Sequence, residues 1–298
     1  MKSPLRRHER ANFFKYMPAS TAAIVLKNKT LQWSSPLTFN DPFDVPREIA
    51  AGATRDDLYS ALTEYMLSLL RNPPQDTSEF AKDFRLLIEA ARQGFSEELH
   101  RAIETDLKTN GQSIVAFNTL DELRAQWKDL LSTMRILCLT ESAKHAAMWY
   151  HYADKYSGVV LEFNCLDNFD SPFLLATAVD YVDEKLPHDN ETGLAKIMCL
   201  DTPFATRRMM HLGLYTKFSD WSYEKEWRIV DFPKSTEIGL YSYNHFNAQE
   251  LASIYLGPRI DQAVRSEILE LSKDFGDARV FDVRIEPTRE LSFTVIEG

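Results

Sequence analysis

The 298-residue chain predicts an α+β fold, in which a sheet-rich core is interrupted by a helical insertion. Strand-like apolar runs occur near both ends of the chain, and a block with helical periodicity separates them. The helices between the later strands are uneven, so the pattern lacks the regular βαβ repeat of a doubly wound sheet. With 44% hydrophobic residues the chain can bury a core without disulfides. The simplest organisation is one domain over 1–298.

The segment 13–52 predicts a strand, a helix and a second strand. The run FFKYM has the composition of a strand, and Ser20 or Thr21 can cap a helix over AAIVLKN. LQWSS then reads as a brief strand. The following loop contains Asn40-Asp41-Pro42, which favours a turn because Asn and Asp side chains bond nearby backbone amides and proline fixes its own φ.

The segment 54–131 predicts the helical insertion. Thr54 can cap a helix whose apolar stripe repeats every four residues, at Leu58, Leu62, Met66 and Leu70. Two further helical stretches cover 78–108, with a break at Gly94, and 120–131. The block carries few side chains typical of a reactive site, so we expect it to pack on the core.

The segment 134–298 predicts the remainder of the β-rich core. Its strand-like runs are MRILCLT, GVVLEF, FLLATAVDYV, EWRIVDF, LASIYLG and ARVFDVRIE. Helical patterns lie between them near 144–154, 192–212 and 261–274.

Composition excludes several classes of protein. Subtracting 44 acidic from 34 basic residues leaves a net charge of −10, which argues against nucleic-acid binding by bulk charge but leaves a local basic groove open. The three scattered cysteines form neither a disulfide framework nor a zinc motif and indicate a reducing compartment. No Rossmann, P-loop, HExxH or GxSxG motif occurs. No signal-peptide or membrane-spanning pattern occurs either, so we expect a cytoplasmic protein that does not enter membranes.

The densest candidate site is WSYEKEWRI at 221–229. On a strand, Glu224 and Glu226 would project from one face because side chains alternate. Such a pair can divide its work: one carboxylate stays ionised against a sugar hydroxyl and an oxocarbenium-like charge, while the other orients or deprotonates the nucleophile. The alternative is a solvated strand edge, with Arg228 in a surface ion pair.

A second candidate is MWYHYADKYSG at 148–158. On a helix, Trp149 and Tyr152 would form an aromatic face that can stack a planar ring, although core packing is the more common fate of such a face. No serine or cysteine nucleophile is paired with His151 in the sequence.

A third candidate is the acidic loop of Asp41, Asp44 and Glu48. These side chains could hold a hard cation, but they lack the regular spacing of a calcium loop. We therefore expect no metal there.

These segments, in this order, resemble the domain-of-unknown-function family 2971 (DUF2971). The residues that carry the resemblance are Lys15-Tyr16, 31–44, 138–140, 149–163, 221–228 and 254–257. It covers nearly the whole chain apart from the helical insertion, and the family implies almost nothing about function.

A weaker resemblance is to the ADP-ribosyltransferase superfamily, which implies a split β-sheet core and NAD as co-substrate. Glu226 would take the role of the late glutamate that holds the nicotinamide ribose 2′-hydroxyl, Glu224 the first position of the E-x-E pair, and Tyr152 the middle aromatic. Lys15-Tyr16 stands where the superfamily has His or Arg, although a lysine can still meet a phosphate.

The resemblance implies an enzyme that cleaves the nicotinamide–ribose bond of NAD and transfers ADP-ribose or hydrolyses NAD, with a toxin or defence effector as one biological setting. Glu226 and Glu224 would be catalytic. Residues implied to contact NAD are Lys15, Tyr16, Asn40, Trp149, Tyr152 and Arg228. The acceptor stays open between protein, nucleic acid, a small molecule and water.

Two other functions remain open. One is a non-catalytic nucleotide-sensing or protein-interaction module. The other is a metal-dependent phosphoesterase that uses Asp41, Asp44, Glu162 and Glu226.

Overall fold

The computed structural model describes residues 2–110, 119–183, 190–233 and 238–296. Parts of the predicted insertion (111–118) and of the predicted later core (184–189, 234–237 and 297–298) lie outside the described residues. The chain divides into two compact units: Met1–Phe39, Thr133–Tyr181 and Lys217–Gly298 form the first, and Asn40–Ser132 and Val182–Thr216 the second. The insertion predicted at 54–131 therefore falls in a unit that also takes in 182–216.

The described residues form twelve strands and nine α-helices. The strands are β1 Asn12–Met17, β2 Thr30–Ser34, β3 Arg135–Thr140, β4 Val159–Asn164, β5 Thr177–Ala178, β6 Asp180–Val182, β7 Thr216–Phe218, β8 Glu226–Asp231, β9 Tyr241–His245, β10 Leu251–Leu256, β11 Arg279–Ile285 and β12 Leu291–Val295. The helices are α1 Ala19–Asn28, α2 Arg55–Arg71, α3 Lys82–Gln93, α4 Glu97–Asn110, α5 Thr119–Thr133, α6 Ala146–Tyr152, α7 Glu191–Met198, α8 Thr202–Leu214 and α9 Gln262–Ser272. This content confirms the predicted α+β class.

The main sheet forks at β3. Its principal order is β12-β11-β10-β4-β1-β3-β2-β9, and β8 followed by β5 joins it through β3. β8 pairs antiparallel with the whole of β3, so that Thr140 lies opposite Glu226. β1 meets β3 only where Phe14 lies opposite Thr140, and β2 meets it only where Ser34 lies opposite Ile136. The fork therefore places the start of β8 beside the middle of the sheet.

Side chains alternate between two differently covered faces of this sheet. Phe13 and Met17 of β1 belong to the larger apolar cluster, and α1 and α9, which pack together, lie on that side. Tyr16 belongs instead to a smaller cluster with Trp149 of α6. Because neighbours on a strand point in opposite directions, Lys15 and Tyr16 project from different faces. Of these two residues, Tyr16 is the one on the face that α6 covers.

A left-handed turn joins α6 to β4. Residues 154–156 have φ values of 44°, 52° and 74°, a conformation that non-glycine residues rarely adopt. A Cβ on Gly158 would lie 2.3 Å from the Met17 carbonyl oxygen, and one on Gly257 would lie 2.4 Å from that of Tyr156. The two glycines therefore allow the turn to rest directly on the neighbouring backbone.

The second unit contains α2 to α5, α7 and α8. Thr54 and Asp57 form a reciprocal capping box at the start of α2, which confirms Thr54 as the cap. Gly94, with a φ of 97°, ends α3 and confirms the predicted break. Trp127 of α5 donates to the Pro46 carbonyl at 2.8 Å. The same indole fills space that a Cβ on Gly213 would occupy.

Three predicted elements differ from the structure. α1 begins after Pro18 without a side-chain cap, so the prediction of a Ser20 or Thr21 cap was wrong. The run FLLATAVDYV is a short 3-10 helix, Pro172–Leu175, followed by β5 and β6, because Pro172 lacks a backbone donor and Ser171 caps a helical turn. The single helix predicted at 192–212 is two, since Asp201 caps a new helix, α8.

No helix in the described ranges is long and apolar enough to cross a membrane.

We expect Gly158→Ala to lower the free energy of unfolding by about 1–3 kcal/mol, because the added methyl group overlaps backbone atoms that cannot move independently. Urea unfolding measures the change. Ser266→Ala, at an exposed position of α9, is the control and should be nearly neutral. Equal stability of Gly158→Ala and the parent protein would contradict the close approach of this turn.

Candidate functional site

The two predicted catalytic glutamates come together by a bend in the chain. Glu224 is the last residue of a 3-10 helix, Ser219–Glu224, and Glu226 is the first residue of β8. Between them Lys225 adopts the left-handed conformation, with φ 44° and ψ 53°. The prediction that both project from one strand was therefore wrong, because Glu224 precedes the strand. The bend still directs both carboxylates to one point.

That point is the ammonium group of Lys217. Its Nζ lies 2.6 Å from Glu224 Oε2 and 3.3 Å from Glu226 Oε2. All three side chains are at most 7% exposed. The ammonium also lies 4.8 Å from the centre of the Trp221 ring, within range of a cation–π contact. Sequence reasoning missed Lys217, since no motif spacing distinguishes it.

Glu226 is held in its ionised form. Arg228 donates from Nε to Glu226 Oε1 at 2.8 Å and from NH2 to Oε2 at 2.9 Å. Burial alone would raise the pKa of Glu226, but Arg228 and Lys217 outweigh it and lower the pKa to about 2. The stabilisation from this carboxylate is thus present above the ordinary value of 4.5 and is lost as the pH falls towards 2.

Arg228 has no exposed surface, so it is not the surface ion pair that the sequence left open. Its guanidinium lies 5.7 Å from the Phe39 ring and is hydrogen-bonded to the Glu226 carboxylate. The structure places it as a support for Glu226. It does not present Arg228 directly to NAD.

Glu224 has the opposite environment. Tyr152 OH donates to Glu224 Oε1 at 2.5 Å, and the Thr140 hydroxyl donates to the Glu224 carbonyl at 2.5 Å. Burial raises the pKa of Glu224, and the charge of Glu226 raises it further against the opposing effect of Lys217. Burial and the neighbouring carboxylates also raise the pKa of Tyr152, which keeps the phenol protonated as a donor. Two carboxylates that share one ammonium therefore have pKa values shifted in opposite directions.

The backbone around Glu226 completes the cluster. The Glu226 N–H donates to Tyr181 OH at 2.8 Å. The Cys138 thiol hydrogen-bonds Glu226, and burial raises the pKa of that thiol. Tyr181 is the last residue of the first unit before the chain's second excursion into the second unit, and Lys217 is the first residue after it.

The aromatic residues predicted to contact NAD have different placements. Tyr152 reaches the carboxylates and is partly exposed. Trp149 is fully buried, donates to the Ala143 carbonyl at 2.7 Å and packs edge-on against Tyr16 at 5.5 Å. Tyr16 itself donates to the Ser142 carbonyl at 2.9 Å. Trp149 is therefore a core residue, which is the alternative that the sequence left open.

The remaining predicted contacts are Lys15 and Asn40. Lys15 projects from the opposite face of the sheet from Tyr16, and its Nζ donates to the Cys138 carbonyl at 2.8 Å. Asn40 is exposed and is the first residue of the second unit.

The phosphoesterase alternative requires four carboxylates, from two different units of the chain. Glu162 on β4 accepts hydrogen bonds from Asn12 at 2.5 Å and from Tyr255 at 2.7 Å, and β1 and β3 lie between it and Glu226. Asp41 and Asp44 belong to the second unit. Across the described ranges, no group of three or more His, Cys, Asp and Glu side chains is placed to hold a metal ion.

We expect Lys217→Met to lower the free energy of unfolding by about 3–5 kcal/mol at neutral pH, because it leaves two buried carboxylates without their shared cation. Adding Glu224→Gln should recover part of the loss. The loss should also begin to shrink above pH 4.5 as the pH falls, because the pKa of Glu224 is raised and a neutral carboxyl needs no counter-charge. Lys225→Met, at an exposed lysine beside the cluster, is the matched control for urea unfolding. A pH-independent loss in Lys217→Met would contradict the shared-cation geometry.

Comparison with known proteins identifies one matching family. No curated protein and no solved structure matches the chain. The model of a family described as "Protein of unknown function (DUF2971)" matches residues 148–229. The predicted resemblance to DUF2971 is thereby confirmed over 148–229, the segment that contains Tyr152, Lys217 and both carboxylates.

Proposed function

We propose that this protein cleaves the nicotinamide–ribose bond of NAD and passes ADP-ribose to an acceptor or to water. The observation that carries the proposal is the pair of glutamates whose pKa values are shifted apart around one ammonium group. Pairs of acids with diverging environments are how active sites divide acid, base and electrostatic roles. In transfer from an N-glycosidic bond, one carboxylate can stabilise the charge on the sugar while the other takes the acceptor's proton.

In this proposal Glu226 acts on the donor. Its carboxylate stays ionised because Arg228 and Lys217 oppose protonation, so it can stabilise the positive charge that develops on the ribose. The C1′–N bond breaks and its electron pair leaves with neutral nicotinamide. Arg228 fixes the carboxylate in position through two hydrogen bonds.

Glu224 acts on the acceptor. Its raised pKa suits a group that takes a proton from the attacking O–H or N–H as the new bond to C1′ forms. Tyr152 and Lys217 hold one oxygen each and orient the carboxylate. The partly exposed rings of Tyr152 and Tyr223 offer a surface for the leaving nicotinamide.

The forked sheet also supports the proposal. β1 and β2 share one edge of β3 and β8 occupies the other, which suits the split-sheet core implied by the resemblance to ADP-ribosyltransferases. An enzyme that consumes NAD in this way would be suited to a toxin or defence effector.

A second candidate is a non-catalytic nucleotide-sensing or protein-interaction module. It is favoured by the burial of the two carboxylates, of which Glu224 is 3% and Glu226 is 6% exposed, and by their full pairing with Lys217 and Arg228. A buried cluster with equal numbers of positive and negative charges can act only to favour one fold over others, without any role in a reaction. In such a module the cluster would shape a binding surface without reacting.

We expect the purified protein to release nicotinamide from NAD, and Glu226→Gln to reduce release by at least about a hundredfold, because it removes the ionised carboxylate. Nicotinamide is measured by chromatography. Glu226→Gln also leaves Arg228 buried without its counter-charge, so thermal melts must accompany it. Glu226→Asp keeps the charge and separates loss of charge from loss of fold.

The matched control for this experiment is Glu162→Gln, a glutamate buried to a similar degree on the same face of the sheet. It should keep full activity. Binding of NAD without any release by the wild-type protein would favour the sensing module.

We expect Glu224→Gln to reduce transfer to an acceptor more than hydrolysis by water, since water needs less orientation than a bound acceptor. In the wild-type protein the transfer rate should fall with decreasing pH at a pH above 4.5, because the pKa of Glu224 is raised. This fall should be absent in Glu224→Gln. Equal losses of hydrolysis in the folded Glu224→Gln and Glu226→Gln variants would refute this division of roles.

A further inference from the structure

A series of neighbouring aromatic rings connects the carboxylate cluster to an exposed arginine. We name it the aromatic strip; its members, in order, are Trp221, Tyr223, His151, Tyr150 and Tyr156. Successive ring centres are 6.0, 6.5, 5.4 and 6.4 Å apart. The Lys217 ammonium lies over the first ring at 4.8 Å, and the Arg259 guanidinium lies over the last at 5.6 Å.

The strip is accessible. Tyr150 is 48% exposed, His151 is exposed, and the other three rings are partly exposed. Neighbouring strip rings meet tilted or edge to face and none forms a parallel stack with the next, although His145 stacks on one side of Tyr223. A planar ligand can therefore stack on them.

The charges beside the strip are mainly positive. Exposed Lys155 and Lys225 lie beside or two residues from strip residues in the chain, and exposed Lys144 precedes His145, whose ring stacks on Tyr223 at 5.4 Å. Arg259 sits over Tyr156. The neighbouring exposed acids are Asp154, whose carboxylate accepts a hydrogen bond from Ser157, and Asp220. This local excess is opposite in sign to the net charge of −10 of the chain.

We propose that the aromatic strip binds single-stranded nucleic acid, with successive bases stacked on its rings and phosphates near the flanking cations. Aromatic side chains that follow one another along a basic surface are the general means of holding single strands without sequence readout. Five rings, each 5.4–6.5 Å from the next, exceed what the base of one nucleotide can cover. The strip therefore suits a strand of several nucleotides better than a free nucleotide.

One part of this inference rests on the proposed function: the bound strand would be the acceptor of ADP-ribose. The strip begins at Trp221, three residues before Glu224, so a hydroxyl or amino group of the strand would arrive beside that carboxylate. The new bond would form from that oxygen or nitrogen to C1′, nicotinamide would leave with the electron pair of the broken bond, and the proton would pass to Glu224.

The test is fluorescence anisotropy with a labelled single-stranded oligothymidylate of about ten nucleotides, within the span of known single-strand sites. The full-length protein should bind it at low ionic strength. Tyr150→Ala should weaken binding by at least about fivefold, the loss expected for one stacked base. Arg259→Gln should reduce the slope of log affinity against log salt concentration by about one, which is the contribution of one phosphate contact. Tyr243→Ala removes a tyrosine that is 60% exposed on β9, and should change nothing.

Three results would overturn the proposal: no binding of the strand, equal binding by the Tyr150→Ala variant, or complete displacement of the strand by adenosine monophosphate at concentrations that saturate a nucleotide site. The last would assign the strip to a free nucleotide, and absence of binding would leave it to a protein partner. Binding is measured without NAD, so it does not depend on the proposed reaction. Strand binding without nicotinamide release would therefore refute the proposed function and leave the strip's ligand established.

Discussion

The constraint on which the site depends is the sharing of one buried ammonium by two carboxylates. Lys217 and Arg228 supply two positive charges, and Glu224 and Glu226 supply two negative ones. Moving a single ion out of water costs several kcal/mol, so removal of any member leaves a neighbour uncompensated. The cluster therefore fixes the relative positions of three consecutive elements: β7, the 3-10 helix Ser219–Glu224 and the start of β8.

The local backbone is bent to make this sharing possible. Lys225 and residues 154–156 adopt left-handed conformations that each cost roughly 1–2 kcal/mol for a residue with a side chain. Such strain persists where the surroundings determine the conformation. The ion pairs determine the conformation of Lys225. The close approach allowed by Gly158 and Gly257 determines the conformation of residues 154–156. The bends carry Glu224 and Tyr152 to the same place.

The sequence allowed prediction of features encoded by neighbouring residues. The Thr54 cap, the break at Gly94 and the apolar runs of the buried strands all depend on residues close together in the chain. β9 and β12 were not predicted because their exposed faces dilute the apolar signal. Lys217 could not be predicted, since its pairing depends on a fold and not on spacing. Strand alternation predicted that Glu224 and Glu226 would lie close together. They do, but the cause is the left-handed conformation of Lys225 between them.

The short 3-10 helix Ser219–Glu224 ties the charge cluster to the aromatic strip. In a helix of three residues per turn, Trp221 and Glu224 lie on one side, one turn apart. Trp221 stacks under the Lys217 ammonium, and Lys217 in turn binds the Glu224 carboxylate, so ring, ammonium and carboxylate form a closed loop of contacts. A ligand that moves the Trp221 ring must therefore alter the position or the charge balance of Glu224. In the proposed enzyme, occupation of the strip and the proton affinity of the acceptor base are coupled by this one turn.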